Sequence, residues 1–362
     1  MDAKLGLAAQ LRYTLGDMSA VEAQLRGTGA RTLLERAARA RAVVIPPTRA
    51  AMAARGASAG PSAEEQLVLT GQKGMRKLQH PGGEGALSEE ELQGLEALVL
   101  LIARPALFVT NGDFASPPEP WGSRLDQERD SIRRVFQSVG RIEVSAGGGP
   151  SSMSGTGFLV APDVVMTNRH VVRAFSAREQ DTWLFTPGLE PAIDFRAERE
   201  STTRAAFRLE EVIGVHDSQD IDLALLRVSR QAPRGATAPE PLLLASEPPE
   251  SPEGRDVYVV GYPAADTRGL TPPQVLQDIF GGTYEVKRLQ PGTVMQVDTP
   301  RKVFTHDCST LGGNSGSCVV DLKTGLVIGL HFGGGYRRAN FAVALWALAD
   351  DPLLKRAGVG FA

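Results

Sequence analysis

The feature that most constrains the fold is a change of sequence texture along the chain. Residues 1–110 are rich in Ala, Leu, Arg and Glu, and their apolar residues recur at helical spacing. From residue 139 onward, short apolar runs are separated by turns rich in Gly and Pro, a pattern typical of antiparallel strands. This change predicts an N-terminal all-α region followed by an all-β domain that ends in a C-terminal helix.

The length of the chain also favours more than one domain, since 362 residues exceed the prior of about 100–200 residues for one domain. We predict a helical adaptor or regulatory region over 1–110, a connector with a helix over 111–138, and the β domain over 139–362. Ser88 and Glu91 form a capping-box pattern that marks one helix start. Helices are predicted over 3–15, 20–26, 30–43, 63–79, 89–103, 124–137 and 345–355, and surface loops over 186–203 and 230–255.

The composition limits the classes of partner. A net charge of -3 and a pI near 6.0 give no electrostatic footprint for nucleic acid or for an anionic membrane. The apolar run over 97–103 is too short to span a bilayer. Protein or peptide partners are therefore expected.

Several features favour a cytoplasmic protein. The first residues lack the apolar segment and cleavage site of a secretory signal. The two cysteines, Cys308 and Cys318, are predicted to be buried free thiols, with a disulfide between them as the alternative. The histidines His216 and His306 lack zinc-type spacing, so we expect no metal and no cofactor.

A glycine-rich turn near the C-terminus carries the main chemical signal. Gly313-Asn314-Ser315-Gly316 exposes a serine hydroxyl between backbone N–H groups that could hold an oxyanion. The alternative is an ordinary tight turn, because Gly, Asn and Ser all favour turns for conformational reasons.

Two upstream segments supply the residues that would activate this serine. His170 follows the apolar run of residues 164–167, at the mouth of a short predicted helix. Asp222 leads directly into the apolar segment of residues 223–228, where a carboxylate needs a partner. Asp220 is the second choice for this acid.

The order His170, Asp222, Ser315 is that of the chymotrypsin-type serine proteases. The surrounding motifs, Thr-Asn-Arg-His-Val, Asp-Leu-Ala-Leu-Leu and Gly-Asn-Ser-Gly-Ser, resemble those of the bacterial trypsin-like peptidases. The resemblance implies a double β-barrel with the triad at its junction. Ser315 would be the nucleophile, His170 the general base and Asp222 the group that orients it, with the N–H groups of Gly313 and Ser315 as the oxyanion hole.

The segments that would line the substrate pocket resemble those of the bacterial glutamyl endopeptidases. Thr310 lies five residues before Ser315, and His331 lies in Gly-Leu-His-Phe-Gly-Gly. The resemblance implies that both contact an acidic P1 side chain, with charge assistance if His331 is protonated. The alternative is that His331 only packs in the pocket wall. Phe332 and Gly333 would pair by backbone with an extended substrate.

These observations predict a serine endopeptidase that cleaves after Glu or Asp through an acyl-enzyme. A catalytically silent binding module and an esterase with the same triad remain as alternatives. The helical region over 1–110 would regulate or recruit the enzyme through a protein partner, by analogy with bacterial stress and defence systems. No acidic residue lies where trypsin needs one, six residues before Ser315, so basic P1 residues are disfavoured.

Overall fold

The computed structural model describes residues 63–99, 103–231, 238–265, 280–334 and 339–362. The helices predicted over 3–15, 20–26 and 30–43 lie outside the described residues. No helix in the described ranges is both long and apolar enough to cross a membrane.

The described residues form six α-helices and fifteen strands, named here in chain order. The helices are α1 (Ala63–Leu78), α2 (Glu89–Leu98), α3 (Trp121–Gln127), α4 (Arg129–Ser138), α5 (Arg169–Val172) and α6 (Pro352–Arg356). The strands are β1 (Leu107–Phe108), β2 (Val139–Ala146), β3 (Ser152–Ala161), β4 (Val164–Thr167), β5 (Ser176–Glu179), β6 (Thr182–Phe185), β7 (Leu189–Asp194), β8 (Ala206–Val215), β9 (Ala224–Val228), β10 (Asp256–Gly261), β11 (Arg288–Asp298), β12 (Val303–His306), β13 (Cys318–Asp321), β14 (Val327–Gly334) and β15 (Asn340–Ala344).

The chain divides into two compact units. The described part of the first unit comprises the chain up to Leu107, Ala115–Gln127 and residues 280–282, and the second comprises most of the remainder. The division predicted from sequence, at residues 110 and 138, stays a prediction.

The first unit contains the helix pair α1 and α2. A Cβ on Gly71 of α1 would lie 2.2 Å from the carbonyl oxygen of Gly94 in α2, so the two backbones approach closely. The capping box predicted at the start of α2 is present. The backbone N–H of Ser88 donates to the Glu91 carboxylate at 2.8 Å, and the backbone N–H of Glu91 donates to the Ser88 hydroxyl at 3.1 Å.

The second unit contains two antiparallel barrels. The first barrel closes in the order β2-β3-β4-β9-β8-β7. The second has the order β11-β10-β13-β14-β15-β12, and β12 pairs back to β11. Each barrel has its own apolar core, with Ile142 and Phe207 fully or almost fully buried in the first and Val259 and Phe304 fully buried in the second. The expected all-β double barrel with a short C-terminal helix is confirmed.

The sequence prediction of a loop over 186–203 is wrong at strand β7. Its sequence Leu-Glu-Pro-Ala-Ile-Asp looks like loop material because it contains proline and two acids. In the structure β7 pairs with β2 and β8 and completes the first barrel, with Ile193 opposite both Ile142 and Phe207. The Asp194 carboxylate accepts hydrogen bonds from the N–H groups of Arg196 and Ala205, at 2.9 and 3.1 Å.

Two predicted helices are each divided. The helix predicted over 124–137 is interrupted at Glu128, where the chain passes from the first unit, which contains α3, to the second, which contains α4. The helix predicted over 345–355 is a 3-10 turn, Leu345–Leu348, followed by α6. The Asp351 side chain accepts from the N–H groups of Leu353 and Leu354 and so starts a new helix.

The substitution Ile193→Ala tests the place of β7 in the first barrel. Ile193 is fully buried in the barrel core, so its truncation leaves a cavity and should lower the free energy of unfolding by about 2–5 kcal/mol. Urea denaturation measures this change. The matched substitution Leu184→Ala, at a side chain that is 46% exposed, should change stability much less, and equal losses would contradict the assignment of β7 to the core.

Candidate active site

His170 and Asp222 are joined by two hydrogen bonds. His170 Nδ1 lies 2.5 Å from Asp222 Oδ2, and the backbone N–H of His170 donates to Asp222 Oδ1 at 3.1 Å. The buried side chain of Asn168, at the start of α5, donates to the Asp222 carbonyl at 2.8 Å. The His170 ring is about half exposed, with 47% of its side chain accessible. Its Nδ1 edge is therefore fixed while the ring stays open to solvent.

The environment of Asp222 favours its ionised form. Burial raises the pKa of the Asp222 carboxyl, but the hydrogen bonds and electrostatic attraction of His170, together with the positive charge of Arg169, lower the pKa by more. The net pKa lies below the ordinary value. Asp220, the second choice from sequence, is exposed, and its backbone N–H donates to the Ser218 hydroxyl.

Arg169 organises the loop that precedes Asp222. The Arg169 side chain is almost fully buried and donates to the carbonyls of His216, Ser218 and Ile221, the first at 3.0 Å. It also donates to the Gln219 side chain at 3.0 Å. No role was predicted for Arg169 from the sequence. The available signal was a basic residue inside an otherwise apolar segment, where a buried cation needs several acceptors.

The turn around Ser315 has a backbone that depends on glycine. Gly313 and Gly316 have φ values of 86° and 88°, which glycine adopts without the strain of a side chain. A Cβ on Gly316 would also lie 2.0 Å from the Thr156 carbonyl oxygen. The Thr156 N–H donates to the Ser315 carbonyl, and the Thr156 hydroxyl donates to the Gly313 carbonyl, each at 2.8 Å.

Gly155 lies between the serine turn and the histidine helix. A Cβ on Gly155 would be 2.7 Å from a methyl group of Val171 in α5 and 3.1 Å from the Ser315 carbonyl oxygen. The residue after His170 and the backbone of Ser315 are therefore in contact with the same glycine of β3. The fold brings the three predicted triad residues into one region of the second unit.

The backbone N–H groups of the serine turn differ in their partners. Asn314 N–H donates to the Leu311 carbonyl at 3.2 Å, and Gly316 N–H donates to the His331 carbonyl at 2.9 Å. Within the residues that the structure describes, the N–H groups of Gly313 and Ser315 have no acceptor. These two N–H groups are the pair predicted to bind an oxyanion.

The predicted substrate-pocket residues are held by a polar network. The Thr310 hydroxyl donates to the Asn340 side-chain oxygen at 2.7 Å, and the Asn340 amide donates to the Cys308 carbonyl at 2.7 Å. Buried His331 lies with its Nδ1 3.2 Å from Nε2 of His306, which is also buried. His306 had no predicted role, because 25 residues of sequence separate it from His331 and only the pairing of both their strands with β15 brings the two together.

Both pocket histidines favour the neutral form. Burial lowers the pKa of His306 to about 3. Burial, with the nearby His306 and His170, holds the pKa of His331 well below its ordinary value. Charge assistance from a protonated His331, which the sequence left open, is therefore disfavoured in the unliganded pocket, because desolvation opposes a positive charge there.

Phe332 and Gly333 continue β14 beyond His331. Phe332 is half-buried, with its ring centroid 6.1 Å from that of Phe341, and the space beside Gly333 is open. Cys308 and Cys318 are buried thiols that are not joined in a disulfide, as predicted, and burial raises the pKa of the Cys318 thiol to about 12. Among the described residues, no group of three or more His, Cys, Asp or Glu side chains is arranged to hold a metal ion.

The two barrels and the turn carrying Ser315 define a peptidase of the trypsin-like type. Residues 155–330 match the family model described as a trypsin-like peptidase domain. Residues 155–330 therefore carry a trypsin-like peptidase domain, and the protein is a serine protease by class.

Two relatives in sequence are named as proteases. The chain is 29% identical over 320 residues to a probable serine protease of Lysobacter enzymogenes, covering 79% of this chain and 81% of that protein. It is 26% identical over 210 residues to a glutamyl endopeptidase of Staphylococcus epidermidis, covering 58% of this chain and 63% of that protein.

A mycobacterial protease is similar in sequence and has a solved structure. The serine protease Rv3671c of Mycobacterium tuberculosis is 28% identical over 202 residues, which cover 54% of this chain and 40% of that protein. Its crystal structure in the active form aligns with a TM-score of 0.42 and 22% identity, covering 67% of this chain and 88% of the crystallised chain.

Replacing Arg169 by Met should reduce kcat/KM by roughly tenfold or more, because the loop before Asp222 loses its shared donor. Loss of this positive charge beside Asp222 should also favour protonation of the coupled His170–Asp222 pair, so the acidic limb of the pH–rate profile, which reports the general base, should move to higher pH. The profile distinguishes a positioning role from a general loss of folded protein.

The control for this variant is Arg173→Met, which removes an exposed arginine one turn further along the chain. It should leave the acidic limb in place. Arg169→Lys should retain part of the activity, since one ammonium group can replace some of the donors. An unchanged acidic limb in a folded Arg169→Met protein would contradict the positioning role.

Proposed function

We propose that this serine protease cleaves peptide bonds with Ser315, His170 and Asp222 as its catalytic triad. The observation that carries the proposal is the pair of hydrogen bonds from His170 to Asp222, in a unit where Gly155 is close to both the histidine helix and the Ser315 backbone. This arrangement favours the tautomer with a proton on His170 Nδ1, which leaves Nε2 as a base.

The reaction follows from these positions. Ser315 Oγ attacks the scissile carbonyl while His170 Nε2 takes the hydroxyl proton, and the same proton then passes to the leaving amine. Asp222 stabilises the imidazolium that forms. The N–H groups of Gly313 and Ser315 would bind the oxyanion, with a contribution of about 3 kcal/mol from each donor. Water then attacks the acyl-enzyme by the same acid–base route.

An acidic P1 residue is the proposed substrate feature. The names of the staphylococcal relatives and the pair Thr310 and His331 support it. If His306 Nε2–H donates to His331 Nδ1, then His331 keeps a proton on Nε2 and can donate it to a substrate carboxylate. His331 would thus act as a neutral hydrogen-bond donor from a buried position.

One contact opposes this preference and keeps a neutral P1 residue as the second choice. The Thr310 hydroxyl has a single proton, which it gives to Asn340 in the unliganded pocket. Donation to a substrate carboxylate requires that this hydrogen bond be exchanged, at a cost of about 1 kcal/mol.

Mapping of cleavage sites tests the triad and the P1 residue together. The full-length protein and its Ser315→Ala variant would each be incubated with a proteome-derived peptide library and the products identified by mass spectrometry. We expect cuts after Glu or Asp that are absent with the variant, because the alanine side chain removes the nucleophile.

The other outcomes separate the alternatives. Cuts after neutral residues would retain the protease and reject the acidic P1 pocket. Hydrolysis of esters while all peptides resist would favour an esterase. If the full-length protein cuts nothing but a folded chain without residues 1–110 is active, the N-terminal region acts as the proposed regulatory element.

The pH dependence of P1 selectivity tests the state of His331. We compare kcat/KM for two peptides that differ only in Glu or Gln at P1. Protonation of the general base affects both peptides equally, so its pH dependence cancels in the ratio of the two values. Because the pKa of His331 is lowered, the Glu-to-Gln ratio should stay level from about pH 6.5 to 9, where Glu is ionised.

A ratio that falls steadily as pH rises through this range would show that substrate binding needs a protonated His331. His331→Ala should lower the ratio at every pH, because it removes the proposed neutral donor. Thr310→Val would report separately on the hydroxyl, with almost no change of side-chain volume.

A further inference from the structure

A cavity of about 790 Å³ lies in the second unit. Its wall includes Asp220, Glu253 and the β11–β12 hairpin, and it also includes Phe332 and Phe341. The proposed triad and P1 pocket use none of these charged side chains.

Two wall residues of the cavity are near neighbours in sequence of the proposed site residues. Asp220 lies two residues before Asp222, and Phe332 lies between His331 and Gly333, where an extended peptide would pair. Side chains of an extended peptide alternate in direction and advance about 3.3 Å per residue. A peptide with its P1 residue near His331 can therefore direct a neighbouring side chain into this cavity.

The cavity has an excess of negative charge. Its wall carries the carboxylates of Asp220, Glu253 and Asp298 but a single basic group, that of Arg301. Arg301 already pairs with Asp298, with Nε 3.7 Å from Oδ2 and the backbone N–H donating to Oδ1 at 3.2 Å. Among the described residues, Asp220 and Glu253 make no ion pair with their side chains. A concave surface of one sign attracts a cation.

Two phenylalanine rings form an apolar part of the wall. The rings of Phe332 and Phe341 are tilted by 31° with centroids 6.1 Å apart. Phe341 is 41% exposed, although large apolar side chains in a folded protein are usually buried. Such rings suit the alkyl stem of a long basic side chain, and an aromatic face attracts its cationic end.

We propose that this cavity is a subsite for an Arg or Lys side chain of the peptide substrate. The aromatic rings would hold the stem or the guanidinium plane, and Asp220 and Glu253 would offset the charge. The inference depends on the proposed peptidase function and deepens it. The preferred substrate would carry an acidic P1 residue and a basic residue within about four positions of the scissile bond, a distance set by strand spacing.

The test uses the full-length protein and peptides built on a mapped cleavage site, with each position within four residues of the cut randomised in turn. We expect Arg or Lys to be enriched at one position, with kcat/KM roughly tenfold above that of the matching Gln peptide. The readout is the Arg-to-Gln ratio at that position. Raising the salt concentration should lower this ratio, because exposed charges are screened.

The double substitution Asp220→Asn with Glu253→Gln should reduce the Arg-to-Gln ratio by roughly three- to tenfold while keeping side-chain volumes. Phe341→Leu should lower the Arg-to-Gln ratio more than the Lys-to-Gln ratio, since the planar guanidinium gains more from an aromatic face. The control is Glu210→Gln with Glu247→Gln, which removes two exposed carboxylates outside the cavity wall and should leave the ratio unchanged.

Each result decides the inference. Cleavage with no basic preference at any position would overturn the subsite while leaving the peptidase function intact. A basic preference that the double substitution leaves unchanged would also overturn it. If no peptide is cut and a fluorophosphonate probe does not label Ser315, the proposed function itself fails, and that result is distinct from loss of the subsite.

Discussion

The second unit depends on the packing at Gly155 and Thr156, at the middle of β3. Thr156 donates from its backbone N–H to Ser315 and from its hydroxyl to Gly313, and the same hydroxyl accepts from the Tyr262 N–H at 3.2 Å. Gly155 leaves room for both the histidine helix and the serine turn. The first barrel thereby contacts the turn of the second barrel through both the backbone N–H and the hydroxyl of Thr156, and these two bonds hold the backbone on either side of Asn314.

The electrostatics of the candidate site also follow from the need to pair buried charge. A carboxylate removed from water is costly unless donors and positive charge surround it. Asp222 meets this need with two hydrogen bonds from His170 and the nearby charge of Arg169. Arg169 in turn is buried among loop carbonyls. The acid, the base and the loop that carries the acid therefore form one connected network.

Some features could be predicted from sequence because their signals are local. The apolar runs of β4 and β9 and the capping box at Ser88 were identified from short segments, and each is present. Strand β7 was missed because proline and acidic residues mask its pattern, and only pairing with β2 and β8 shows that it belongs to the barrel. The contact between His306 and His331 was also missed, because the two histidines lie on strands that are distant in sequence.

By itself, the sequence determined the class of fold, the order of the three predicted triad residues and the glycine-rich turn around Ser315, because residue type and near-neighbour spacing encode all of them. The tertiary structure alone decided that Arg169 organises the loop before Asp222 and that the pocket histidines are neutral. It also decided that acidic and aromatic side chains meet in one cavity. Burial and the approach of distant segments set these properties, and neither quantity can be read from a linear pattern.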